Sequence, residues 1–135
     1  MSLEHSNITG QIINICFDIH NELGPGFREK IYHTALEVAL EDRKIKYQSE
    51  KEFYIKYKDR QMGVHRVDML VESEIIIELK AIKGDIPGLF IAQTLSYLKA
   101  ANKLTGLIIN FGNQSVNIKR LYNKKFNNKI STEII

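Results

Sequence analysis

Apolar residues recur at helical spacing in two stretches near the N-terminus. Residues 7 to 23 form the first predicted helix, and residues 27 to 43 form the second. The sequence Gly24-Pro25-Gly26 interrupts the helical pattern between them. A third helix is predicted farther along the chain, with Asp85 as its N-cap, Pro87 in its first turn and its end near Asn102.

The second predicted helix has an apolar side and a polar side. Its main apolar row comprises Ile31, Ala35 and Val38, and this row is widened by Tyr32, Leu36, Ala39 and Leu40. Its polar row has a spacing of four and comprises Glu29, His33, Glu37 and Glu41. A polar row of this kind is most often the side of a helix that faces water, so the apolar row is expected to face the core.

From Lys46 onward the pattern changes to that of strands, because aromatic and β-branched residues become frequent and apolar and polar residues alternate. Strands are predicted over residues 47 to 57, 62 to 71 and 74 to 82, with short polar turns between them, which makes an antiparallel meander. Residues 104 to 110 form a nearly all-apolar fourth strand, which suits a buried central position in a sheet. Residues 114 to 122 form a fifth strand.

The predicted order is therefore two helices, three strands, one helix and two strands. The third helix is long enough for a crossover connection, so the strands before and after it are predicted to run parallel. The fold class is α/β (α+β), with a mixed central β-sheet flanked by helices. At 135 residues we expect a single domain over residues 1 to 122 and a loosely held basic tail over residues 123 to 135, with Lys124, Lys125 and Lys129.

Composition excludes several classes of protein. The single cysteine, Cys16, rules out an intrachain disulfide and a cysteine cluster for zinc or iron–sulfur. The apolar runs are too short to cross a membrane and the N-terminus lacks the pattern of a signal peptide, so we expect a cytoplasmic protein that does not bind membranes. A net charge of +3 permits a polyanionic partner without indicating one.

The second and third predicted strands place charged residues on one face. If the loop comprises Glu72-Ser73-Glu74, Asp68 lies directly opposite Glu78, and Lys80 shares their face. Two carboxylates in this position repel each other unless a cation lies between them, and either a divalent metal or Lys80 is such a cation. The competing interpretation is a solvated face with an ordinary cross-strand ion cluster. A shift of one residue in register would also separate Asp68 from Glu78.

These residues carry a resemblance to a known superfamily. Asp68, followed ten residues later by Glu78-Leu79-Lys80, resembles the D…(D/E)xK signature of the PD-(D/E)xK nucleases, which have a restriction-endonuclease-like core. The order of elements in residues 27 to 110 resembles that core, and Gln93-Thr94-Leu95-Ser96-Tyr97 resembles the QxxxY element of RecB-type nucleases. One departure is Val67, which stands where the signature has a proline.

A second resemblance is narrower. Gly26-Phe27-Arg28-Glu29-Lys30-Ile31-Tyr32 is similar to the GxxExxY pattern of small bacterial proteins that are grouped with this superfamily. Residues 107 to 112, with the sequence LIINFG, and Lys119-Arg120 look like the C-terminal elements of that family. The resemblance as a whole covers roughly residues 8 to 121.

The resemblance implies a nuclease that hydrolyses phosphodiester bonds of nucleic acid, with DNA as the expected partner and RNA as the other possibility. Asp68 and Glu78 would then bind Mg²⁺ or Mn²⁺, together with the backbone carbonyl of Leu79. Lys80 would orient or deprotonate the attacking water and stabilise developing charge. The chemistry is consistent, since a hard cation prefers oxygen ligands and activates water.

The resemblance also assigns roles to residues on two helices. Glu29 would be an additional metal or water ligand, and Gln93 and Tyr97 would position the substrate or the lysine. Simpler explanations exist, because a carboxylate near a helix N-terminus is favoured by the helix dipole and residues four apart on a helix often just contact a sheet. His33 and His65 are interpreted as packing or surface residues, since a hard cation prefers oxygen.

A second hypothesis belongs to a different class of function. A module that binds nucleic acid or protein can keep a nuclease fold without turnover, because function belongs to the site and not to the fold. The presence of Asp68, Glu78 and Lys80 together speaks against a decayed site. A homodimer is compatible with either hypothesis, although no residue pattern indicates one. Metal-dependent cutting separates the two hypotheses from each other.

Overall fold

The computed structural model describes residues 3–126. Within them lie three helices and seven strands, which are α1 (Leu3–Leu23), α2 (Glu29–Asp42), β1 (Tyr47–Ser49), β2 (Glu52–Tyr57), β3 (Arg60–Arg66), β4 (Met69–Val71), β5 (Ile75–Lys80), α3 (Gly88–Ala101), β6 (Thr105–Asn110) and β7 (Asn117–Tyr122). No helix in this described range is long and apolar enough to cross a membrane.

Five strands form one mixed sheet in the order β1-β4-β5-β6-β7. β5 and β6 run parallel, with Ile75 beside Thr105 and Lys80 beside Asn110, while the other neighbours are antiparallel. α3 connects the two parallel strands, which confirms the predicted crossover. All six residues of β6 are buried, as the apolar run of the fourth predicted strand indicated.

The first two predicted strands each divide in two, so five strands and not three precede α3. β1 and β2 are separated at Glu50, which has a positive φ of 55°, and β3 and β4 are separated at Val67 and Asp68. The outer halves, β2 and β3, form a separate two-stranded hairpin. The N–H of Glu50 donates to the carbonyl of Asp68 and the N–H of Val67 donates to the carbonyl of Lys51, both at 2.9 Å, so the chains stay paired across the bend. A period of two continues through such a bend and therefore does not reveal it.

Both faces of the five-stranded sheet are covered. On one face α1 and α2 pack against apolar residues that include Ile77, Leu79 and Ile109. On the other face α3 and the β2–β3 hairpin pack against Leu70 and Ile76. Because side chains alternate along β5, Glu78 and Lys80 point to the α3 side and Leu79 points to the α1–α2 side.

α2 is rotated relative to its predicted orientation. Its buried residues are Tyr32, Leu36 and Leu40, whereas Ile31 and Val38 are 40% and 53% exposed. The predicted apolar side therefore faces the core through Tyr32, Leu36 and Leu40, and the expectation is wrong for Ile31 and Val38.

The polar row of α2 explains this rotation, because it lies along β1 and does not simply face water. The hydroxyl of Tyr47 donates to Glu41 Oε2 at 2.9 Å, and the hydroxyl of Ser49 donates to Glu37 Oε2 at 2.5 Å. His33 Nε2 lies 3.1 Å from the same Ser49 oxygen. Periodicity shows that a helix has a polar side but does not show which neighbour that side meets.

α3 begins two residues later than the N-cap signal suggested. Its N-cap is Pro87, with φ −59° and ψ 144°, and Asp85 lies outside the helix. The carbonyl of Pro87 accepts a hydrogen bond from the N–H of Phe90 at 3.0 Å. The residue before a proline is pushed toward extended backbone, which keeps Ile86 out of the helix.

The first residue of the predicted C-terminal tail is packed. Asn123 is buried, its N–H donates to the carbonyl of Leu104 at 2.8 Å, and its side-chain amide donates to the carbonyls of Leu98 and Lys103. Residues 127–135, including Lys129, lie outside the described residues.

Candidate active site

The signature residues lie where β4 ends and β5 continues past it. Val71 pairs with Ile75 across the turn at residues 72 to 74, as predicted, and Met69 with Ile77 is the last paired row. The next row outward belongs to Asp68 and Glu78. Oδ2 of Asp68 accepts a hydrogen bond from the backbone N–H of Leu79 at 2.7 Å, which replaces the ladder bond that β4 no longer supplies.

The main chain of Leu79 faces the gap that is left beside β5 where β4 ends. Because the N–H and the carbonyl of one residue in a strand point to the same edge, the carbonyl of Leu79 faces the gap that Asp68 lines. The next residue faces the opposite edge, where the carbonyl of Lys80 accepts the N–H of Phe111 at 2.9 Å. Leu79, Asp68 and Glu29 all line one cleft of about 400 Å³.

Glu78 is a buried carboxyl with only 8% of its surface exposed. Its Oε1 lies 3.2 Å from Nε2 of His65, and its carboxyl is within hydrogen-bond reach of Asp68. Burial raises the pKa of Glu78 above its usual range, the hydrogen bond from His65 opposes that rise, and the charge of Asp68 adds to it. A pair of carboxyls held this closely favours a cation or a shared proton between them.

Lys80 and Glu29 complete the charged cluster from two sides. Nζ of Lys80 lies 4.2 Å from the centroid of the Phe90 ring on α3, a cation–π contact that positions the ammonium. Glu29 is the first residue of α2. Burial raises the pKa of Glu29, the charge of Lys80 lowers it and the charge of Asp68 raises it. These four side chains therefore influence each other electrostatically, although they come from three separate segments.

α3 also reaches this cluster through Tyr97. The ring of Tyr97 stacks on the ring of His65, with centroids 3.3 Å apart and an angle of 15° between the planes. Burial and then the charge of Glu78 raise the pKa of Tyr97. Gln93 lies one turn earlier on α3 with an exposed side chain, so of the QxxxY pair only Tyr97 stacks on His65.

Sequence reasoning missed the role of His65. It was expected to be a packing or surface residue, yet it links the Glu78 carboxyl to the Tyr97 ring. Its neighbour Arg66 points elsewhere and pairs with Glu52 at 3.2 Å. The alternation of residues in β3 places His65 and Arg66 on opposite faces, but it does not tell which face meets α3.

Tyr32, the tyrosine of the sequence that resembles GxxExxY, has a structural role. The hydroxyl of Tyr32 donates to the carbonyl of Gly24 at 2.6 Å and accepts from the N–H of Phe27 at 3.2 Å. Its buried ring stacks on Phe111 with centroids 4.4 Å apart. Tyr32 therefore fastens the loop that delivers Glu29 to the cluster.

Replacing Tyr32 with phenylalanine is expected to lower the free energy of unfolding by about 1–2 kcal/mol, because two hydrogen bonds are lost while the stacked ring stays. Chemical denaturation of the two proteins measures this difference. Tyr57→Phe is the matched control, since Tyr57 is exposed and should show no change. Equal stability of Tyr32→Phe and the parent protein would contradict the fastening role.

The sequence Asn110-Phe111-Gly112, called the NFG segment below, holds the residues that follow Lys80. Oδ1 of the buried Asn110 accepts from the N–H groups of Ile82 and Gly112 at 2.9 and 3.0 Å, and its Nδ2 donates to the carbonyl of Ile82 at 3.0 Å. These bonds fix the direction in which the chain leaves β5, directly after Lys80. The pattern LIINFG is therefore structural support for the cluster.

The oxygen-rich donor set suits a hard cation. Among the residues whose side chains are described, 7–126, no three His, Cys, Asp or Glu side chains form a group that could hold a metal ion. The available donors are instead the two carboxyls of Asp68 and Glu78 and the carbonyl of Leu79. Mg²⁺ is compatible with few protein ligands, because it keeps several of its waters.

The single cysteine takes no part in this chemistry. Burial raises the pKa of the Cys16 thiol to about 12, so the thiol is protonated at neutral pH. The thiolate is the nucleophilic form of cysteine, and Cys16 lies on the buried face of α1, in the apolar core.

Comparisons with known proteins agree with this geometry. A family model described as the PD-(D/E)XK nuclease superfamily matches residues 6–121. A solved structure, "Crystal structure of SSO0001", has 19% sequence identity and a TM-score of 0.52 over 70% of this chain and 49% of the other, so this chain spans about half the length of that protein. At this identity the likeness concerns the fold alone. No curated protein sequence matches significantly. The extent of the family match shows that the chain belongs to the PD-(D/E)XK nuclease superfamily.

Proposed function

We propose that this protein is a metal-dependent nuclease that hydrolyses phosphodiester bonds in DNA or RNA. The observation that carries the proposal is the position of Asp68 and Glu78 in the row beyond the last paired row of β4 and β5, beside Lys80, with Oδ2 of Asp68 accepting the N–H of Leu79 at 2.7 Å. Membership of the nuclease superfamily supports the same chemistry.

Asp68, Glu78 and the carbonyl of Leu79 would hold Mg²⁺ or Mn²⁺, and Glu29 would contribute directly or through a water. Such a metal would supply a nucleophilic water at neutral pH and would neutralise charge on the phosphate. Lys80 orients that water and donates to the phosphate oxygens, with its ammonium positioned by Phe90.

α3 contributes to substrate placement in this proposal. Gln93 and Tyr97 lie one turn apart on α3, the helix that packs on the side of the sheet that carries Glu78 and Lys80. Tyr97 acts partly through His65, and Gln93 has an exposed side chain that is accessible to a substrate.

Calorimetric titration with Mn²⁺ is the first test. Wild type is expected to bind the metal, and Asp68→Asn is expected to bind it at least about 100-fold more weakly, because a charged ligand is lost. The asparagine keeps an oxygen that can accept the N–H of Leu79, so the fold is preserved better than with alanine. Asp85→Asn is the matched control, since Asp85 is exposed and lies outside the cluster. Absence of metal binding by wild type, both alone and with an oligonucleotide present, would contradict the proposal.

One observation favours the second candidate, a binding module without turnover. Each carboxyl already has a partner in the protein, Asp68 in the N–H of Leu79 and Glu78 in His65. Such a module would bind nucleic acid without metal and would not cut it. Incubation with single-stranded and duplex DNA, and with RNA, in the presence of Mn²⁺ or EDTA separates the two functions.

The finer parts of the proposal are DNA as the substrate, a cytoplasmic location and a homodimer that supplies two sites for two strands. Sedimentation of the protein with and without DNA measures the mass of the complex. A monomer on DNA would remove the dimer from the proposal and leave the chemistry unchanged.

A further inference from the structure

The β2–β3 hairpin lies beside the candidate active site and is attached to it by a direct contact. His65 on β3 pairs across the hairpin with Phe53, and its ring bridges Glu78 and Tyr97. From this row, four further residues of β2 lead to the tip at Tyr57, a distance of about 13 Å at 3.3 Å per residue. The hairpin is therefore an arm that begins at the cluster and extends from it.

The tip of the arm is a tight turn with an exposed aromatic side chain. Tyr57 pairs with Arg60, and the two residues between them, Lys58 and Asp59, have positive φ values of 51° and 61°. Positive φ at both central residues is typical of the two-residue turns that join strands without splaying them. The side chain of Tyr57 is 63% exposed, and Nζ of Lys58 lies 5.4 Å from the centroid of its ring.

The outer part of the arm is basic. Beyond the pair of Glu52 and Arg66 it carries three basic side chains, all exposed, against one acidic residue, Asp59. The three are Lys56, Lys58 and Arg60. Among the lysines and arginines of the hairpin, Arg66 is the one that pairs with a carboxylate in the described part of the chain. Exposed cations alternate here with an exposed tyrosine, in a segment that leads directly to the phosphodiester-cleaving cluster proposed above.

We propose that this arm, formed by Lys56, Tyr57, Lys58 and Arg60, binds the unpaired strand of a nucleic acid substrate. The three cations neutralise backbone phosphates, and a base stacks on the ring of Tyr57. A base can stack on a side chain only after it has left its own stack, so the arm selects single-stranded segments or ends over intact duplex. The inference rests on the proposed nuclease function, because that function makes the bound strand a substrate. The binding itself is measured without cleavage.

The charge of the arm is tested by the salt dependence of binding. Fluorescence anisotropy of a labelled oligothymidylate, in EDTA, gives the dissociation constant of the full chain across a series of salt concentrations. The variant Lys56→Gln/Lys58→Asn/Arg60→Gln is expected to reduce the slope of log K against log salt by about 2, because three phosphate contacts at about 0.7 each are lost. Asparagine is chosen at residue 58 because it tolerates positive φ.

The matched control removes the same charge elsewhere. Lys46→Gln/Lys99→Gln/Lys124→Gln changes three exposed lysines outside the arm and is expected to leave the slope nearly unchanged. Equal losses in the two triple variants would overturn the proposal, since the effect would then belong to overall charge.

The aromatic contact is tested by Tyr57→Ala and Tyr57→Phe. Alanine is expected to weaken binding of the oligothymidylate about tenfold, and phenylalanine is expected to retain it, because the ring face and not the hydroxyl makes the contact. Unchanged affinity of Tyr57→Ala, tighter binding of a duplex of equal length, or absence of binding by wild type would each overturn the inference. Metal-dependent cutting is measured separately on wild type. Failure of the proposal for the arm is therefore distinguishable from failure of the proposed nuclease function.

Discussion

Replacing Lys80 with alanine is expected to lower the rate of phosphodiester cleavage by a factor of about 10² to 10⁴ while the fold remains intact. Lys80 is the lysine of the cluster and lies on the face shared with Glu78, and Phe90 holds its ammonium in place. Alanine removes the charge that orients water and stabilises the phosphate. The loss is expected in kcat more than in KM, because the interaction strengthens as charge develops in the transition state.

Lys83→Ala is the matched control, since Lys83 is an exposed lysine three residues farther along the chain. Its cleavage rate should equal that of wild type. A glutamine at Glu78 is the companion variant, because it removes the second candidate metal ligand while filling the same buried space. Cleavage that survives both Lys80→Ala and Glu78→Gln would rule out the assignment of this cluster as the active site.

Replacing Gly112 with alanine is expected to destabilise the protein by about 3 kcal/mol, at the upper end of the usual cost of overpacking, and to lower Tm by about 10 °C. A Cβ atom on Gly112 would overlap with the main-chain atoms of Ile82, including its carbonyl oxygen. Main chain cannot move aside as the end of a flexible side chain can. Relief would require the segment after Lys80 to shift, and that segment is tied down by Asn110.

Gly10→Ala is the control, because it is expected to change the stability in the opposite direction. Gly10 lies inside α1, and a Cβ atom there meets nothing within 4 Å. Alanine in a helix interior is expected to stabilise by about 0.5–1 kcal/mol relative to glycine. Thermal unfolding of both variants measures the contrast. A Gly112→Ala protein as stable as wild type would show that the NFG segment is not packed as described.

Local pattern was sufficient for much of the fold. The turn at residues 72 to 74 and the register that follows it were predicted correctly, because a short loop and a period of two determine the pairing of adjacent strands. The crossover of α3 between parallel strands was predicted for a similar reason, since chain connectivity and handedness leave few alternatives. The first feature depends on residues that are close together in sequence, and the second depends on the order of consecutive elements.

Features that depend on distant contacts were not predicted. The bend that separates β2 and β3 from the main sheet, and the rotation of α2, follow from which surfaces meet after the chain has folded. The same limit hid His65, whose ring lies between Glu78 and Tyr97, and Phe90, whose ring holds Lys80. Alternation shows which residues of a strand share a face, but it carries no information about the element that covers that face.

The sequence by itself determined the identity and order of the helices, most of the sheet, and the row in which Asp68 and Glu78 meet, because these depend on periodicity and short loops. Only the tertiary structure decided that Glu29 arrives from the opposite layer, that His65 contacts Glu78, and that the basic hairpin begins at the cluster. The physical reason is that burial and charge act between surfaces that are far apart along the chain, and packing alone brings those surfaces together.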